Sequence, residues 1–98
     1  MDPQLISSAI VVFIGQEIGP VPGPGQERVT EAFGPSLGKE LNEIIDRLEA
    51  EFYEVVPRPD ESLNDACDRA VAVFSSRHSE ISQDALNAFR WRYSYDFK

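Results

Sequence analysis

The chain has 98 residues, 42% of them apolar and 27% charged, which is enough for one hydrophobic core and too little for two. Nine Lys and Arg against seventeen Asp and Glu leave a net charge of −8, so phosphate backbones and anionic lipid surfaces would repel it and neither nucleic acid nor membrane is an expected partner. A lone cysteine, Cys67, and a lone histidine, His78, cannot build an internal disulfide, a zinc site or a Glu–His bundle centre.

Apolar residues recur at helical spacing along most of the chain, and the expected fold is an all-α bundle of four to five helices in a single domain over residues 1–98. The first helix is predicted over 3–17, with Asp2 as N-cap, Pro3 at the first helical position and Ile6, Ala9, Ile10, Phe13 and Ile14 on one face. Its apolar run, Ile10 to Ile14, is far shorter than the ~20 residues that span a bilayer, and no basic residue precedes it as in a secretion signal. Residues 19–25 read GPVPGPG and predict a stiff linker; without a following Lys it is no phosphate loop, and without basic flanks it is a poor ligand for an aromatic groove.

A short helix is expected over 26–33, with Val29, Ala32 and Phe33 as its apolar edge before Gly34 and Pro35. The third, over 35–54, is the clearest: Leu37, Leu41, Ile44, Ile45, Leu48 and Phe52 hold one stripe, continued by Val55, until Pro57 and Pro59 end it. Asp60 or Ser62 should cap a fourth over 61–77, with Cys67 inside the stripe formed by Leu63, Ala66, Ala70, Val71 and Phe74, where a thiol is an inert core group. Ser82 opens a fifth over 82–94, with Ile81 and Leu86 at the two positions of a hydrophobic staple.

Beyond that start, the C-terminal segment reads two ways. Phe89, Trp91, Tyr93, Tyr95 and Phe97 alternate strictly, which suits a strand over 89–97 and an α+β fold. On a helix, Ala85, Leu86, Phe89, Tyr93 and Phe97 would form a core stripe with Trp91 and Tyr95 on a second one. Trp, Tyr and Arg are the residue types that most often anchor protein interfaces, so the Trp91/Tyr95 stripe is a candidate contact surface.

Acids crowd the middle of the chain. Glu40, Glu43, Asp46 and Glu54 are the candidate partner-binding acids, because a negative surface speeds and selects encounter with a basic protein. Arg90, Arg92 and Lys98 make the end locally basic. No calcium-type loop is present, His78 is the one conventional base, and no pair of carboxylates stands out from the surface background, so no metal, cofactor or enzymatic role is expected.

In size, charge and expected helix content the chain resembles bacterial immunity proteins, a resemblance of class rather than of motif. It implies an inhibitor that binds and neutralises a basic toxin or nuclease domain, and the single cysteine, Cys67, fits a reducing compartment, with the cytoplasm as the expected location. The alternative is a structural or adaptor domain that self-associates, as a homodimer, through the aromatic stripe.

Overall fold

The computed structural model describes residues 2–15 and 25–97, and among them are five helices and no strand. The chain is all-α, a bundle closed around one core.

Asp2 starts α1 (Pro3–Ile14) by accepting the Gln4 amide at 2.9 Å, with Pro3 pre-set for the first turn. The helix ends at Ile14 rather than at Glu17, because Gly15 turns into the left-handed region at φ 69° and donates its N–H back to the Val11 carbonyl. A side chain at that position would also collide with the Arg28 guanidinium. Of the linker expected at 19–25, only Gly25 lies within the described residues, and it is the first residue of α2 (Gly25–Phe33) instead.

Val29 is the fully buried anchor of α2, while Ala32 is exposed and Phe33 only partly covered. α3 (Pro35–Phe52) buries Leu41, Ile45 and Phe52 from the predicted stripe and packs along α2. The two helices meet at Gly38, where a Cβ would stand 2.9 Å from the Thr30 Cα, so their backbones approach more closely than any larger residue would permit. α3 stops at Phe52, short of the expected Glu54, because the Glu54 and Val55 amides bond the carbonyls three residues back and tighten the chain into the turn before Pro57.

α4 (Leu63–Arg77) begins two residues after the expected start. Ser62, and not Asp60, caps it by accepting the Asp65 amide at 3.1 Å, and the Glu61 side chain is engaged in the loop. Ser82 repeats the device for α5 (Gln83–Asp96), accepting from the Ala85 amide at 3.2 Å, with Ile81 and Leu86 both buried as a staple requires. Its backbone N–H donates to Ser7 Oγ at 3.0 Å, tying the head of α5 to α1.

α5 runs on to Asp96, past the expected end at Ser94, and overturns the strand reading of 89–97. Ala85, Leu86, Phe89 and Tyr93 are buried at spacings of three and four while Tyr95 is exposed, so the core reads the period of a helix, whatever the alternation suggests. Phe89 and Tyr93 join Phe52 and Phe74 in one aromatic group, with Phe52 at 5.4 Å from Phe74, 5.4 Å from Phe89 and 5.6 Å from Tyr93. Phe97 leaves that stripe: it follows the last helical residue and is 37% exposed.

Candidate protein-binding surface

On the outside of α3, Glu40, Glu43 and Asp46 are all exposed. Glu43 and Asp46 share with Glu27 and Glu31 of α2 an open groove of about 600 Å³, whose other lining includes Gln26, Asn42 and Lys39. Glu40 adjoins Glu43 in a second, smaller depression with Ile44 and Arg47. Among the described residues, no ion pair involves Glu27, Glu31, Glu40, Glu43 or Asp46. Asp46 accepts only a long hydrogen bond from Gln26, at 3.4 Å.

Four acids against Lys39 make that groove negative, and a further neighbouring cation is turned inward. Arg28 sits on α2 beside Glu27, and its guanidinium donates to the Val12 carbonyl at 3.0 Å and to the Phe13 carbonyl at 2.6 Å. A cation at a helix C-terminus satisfies orphan carbonyls and complements the helix dipole, so Arg28 closes α1 instead of neutralising the groove. Sequence reading missed both Arg28 and the contribution of Glu31; the four-residue spacing of Glu27 and Glu31 was the signal that they share a face.

Glu54 stands apart from this group. It lies beyond the end of α3, 3.5 Å from Arg77, which also reaches Glu51 at 3.7 Å. Glu51 is bonded in turn to Nε2 of His78, whose Nδ1 is 3.7 Å from Glu80 and whose ring stacks on Phe74. His78 is thus the C-cap residue of α4, pinned to the end of α3.

Two further arginines are also held by acids. Arg69 grips Glu61 through two bonds of 2.9 and 2.8 Å, and the Arg58 amide adds a third donor at 3.1 Å. These donors, Arg69 first, hold the Glu61 carboxyl down at about 2. Arg90 reaches Asp68 at 3.0 Å and Asn64 at 2.6 Å.

Trp91 and Tyr95 lie one turn apart on α5 with ring centroids 6.5 Å apart. Trp91 is partly buried against the core, and Tyr95 is 40% exposed. Cys67 is buried, and burial pushes its thiol above the usual range, as an unreactive core thiol requires.

Among the described residues no group of three or more His, Cys, Asp or Glu is placed to hold a metal ion, and no helix is long and apolar enough to cross a membrane. Comparisons of the chain with protein-family models, curated proteins and solved structures give no significant match.

Proposed function

We propose that this chain is a small acidic protein-binding domain, a cognate inhibitor of the immunity or antitoxin type that acts in the bacterial cytoplasm on a basic toxin or nuclease domain. One observation carries the reading. Among the described residues, Arg69, Arg77, Arg90 and Arg92 form ion pairs within the fold and Arg28 is spent on carbonyls, while the acids of the α2–α3 groove have no ion-pair partner. A concentrated negative field on packed helices favours a cationic partner, acting mainly on encounter rate and specificity. Glu43 and Asp46 are its centre, with Glu40 at the edge; Glu54 and the Trp91/Tyr95 pair lie outside the groove and would contribute only to a wider contact.

The test is the rate at which this chain associates with a basic toxin or nuclease domain, sought first in the neighbouring gene. The rate should fall steeply with added salt, and the double variant Glu43→Lys, Asp46→Lys should lower it about tenfold or more while changing dissociation less. Association indifferent to salt and to the double variant would overturn the reading.

A further inference from the structure

The seam between α3 and α5 contains charges that packing leaves unsatisfied. Glu49 and Tyr53 face Arg92 and Asp96 across it. Arg92 Nη1 is 3.9 Å from Glu49 Oε2, Arg92 Nε is 3.6 Å from Asp96 Oδ2, and the Tyr53 hydroxyl donates to Asp96 Oδ2 at 2.5 Å. Glu49 Oε2 and Arg92 Nε are both buried without a hydrogen-bond partner. A single guanidinium is therefore shared between two carboxylates at distances longer than a hydrogen bond.

Among the described residues no other element supplies a balancing cation. On α3 itself Asp46 adds negative charge. From α2, Gln26 reaches Asp46, with Glu27 and Glu31 in the groove beyond. From α4, Arg77 is turned to Glu51 and Glu54, and α1 carries no charged side chain. Burial pushes the Glu49 carboxyl above the usual range; Arg92 opposes this, and Asp46 and Asp96 add to it.

We propose that the Glu49–Arg92–Asp96–Tyr53 cluster is a pH-sensitive latch on the end of α5: protonation of Glu49 holds residues 91–97 closed on α3, and ionisation lets them open. An ionised Glu49 in the seam is a half-buried charge with an orphaned oxygen, and local opening returns that oxygen to water. The latch is fully set below the ordinary carboxylate value of 4.5 and weakens as pH rises through the higher value of the folded chain. Opening would expose the faces that Tyr53, Tyr93 and Phe97 now turn to one another.

Amide hydrogen exchange tests this directly, with α4 as the internal reference and rates corrected for intrinsic pH dependence. Between about pH 5 and about pH 7.5, protection at residues 93–97 should fall about threefold or more relative to α4 in the unmodified chain, and Glu49→Gln should remove the difference. An equal fall in α4, or a fall that survives Glu49→Gln, overturns the proposal. Should that variant not fold, carboxyl carbon NMR and exchange on the unmodified chain decide: a Glu49 midpoint above the usual carboxylate range with protection at 93–97 falling at that same midpoint supports the latch, and a midpoint at or below that range, or protection that does not track it, refutes it.

Discussion

Glu61–Arg69 and Glu49–Arg92 are the same two residue types meeting in the same bundle, and the fold treats them in opposite ways. At Glu61 three donors converge within 3.1 Å and the carboxyl is held down at about 2. At Glu49 the guanidinium stands 3.9 Å off and is divided with Asp96, and burial pushes the carboxyl up. The sign of the effect follows from how many donors are aimed at the carboxylate, since an arginine merely nearby does not repay lost hydration. The first pair braces the α3–α4 loop, where Arg69 also donates to the Val56 carbonyl at 2.9 Å; the second leaves a seam that can loosen.

The largest effect should come from removing what supports both regions. The Phe52 ring packs between Phe74 of α4 and Phe89 and Tyr93 of α5, so Phe52→Ala should cost about 3–5 kcal/mol in urea unfolding and blur the contrast between loop and seam. Tyr93→Phe is milder. It removes the bond from the Tyr93 hydroxyl to the Val55 carbonyl, at 2.5 Å, and should cost about 1 kcal/mol with little dependence on pH near neutrality.

The most diagnostic change is Glu61→Gln. Because the folded carboxyl lies below its ordinary value, the brace stabilises the native state above about pH 4.5, and that contribution is lost as pH falls toward about 2. The variant should therefore be less stable at neutral pH and should lack that part of the acid dependence, as read from unfolding midpoints across the range. Glu49→Gln should remove a slope of the opposite sign, in which stability falls as pH rises above 4.5. Two variants with slopes of the same sign would break the comparison.

Much of the fold was legible because it depends on local signals. Asp2, Pro3, Ser62 and Ser82 mark helix starts, the three cap side chains through bonds to amides two or three residues on. The stripes of α3 and α4 contain the residues that are buried, Leu41, Ile45 and Phe52 on one and Ala66, Cys67, Ala70 and Phe74 on the other, while Leu37, Ile44, Leu48, Leu63 and Val71 are only partly covered. The strand alternative for 89–97 arose because aromatics at every second position fit either period; only the core, by burying Phe89 and Tyr93 and leaving Tyr95 out, selects one. The exposed acids Glu40, Glu43 and Asp46 could be placed on α3 from spacing alone. What could not be read were the long-range partners: Arg28 on the end of α1, Tyr93 on Val55, and Tyr53 on Asp96 are each brought together by packing and have no signature in the intervening sequence.

The close approach of α2 and α3 at Gly38 has a consequence for the charge they display. Any β-carbon at position 38 must push the Thr30 backbone away, so the separation of Glu27 and Glu31 from Glu43 and Asp46 is set by one hydrogen atom in the place of a methyl group. Since Coulomb potentials fall with distance and are screened within about 10 Å at ordinary ionic strength, widening that gap would dilute the field without removing a single acid. In this small bundle the strength of the surface potential is a matter of backbone fit as much as of composition.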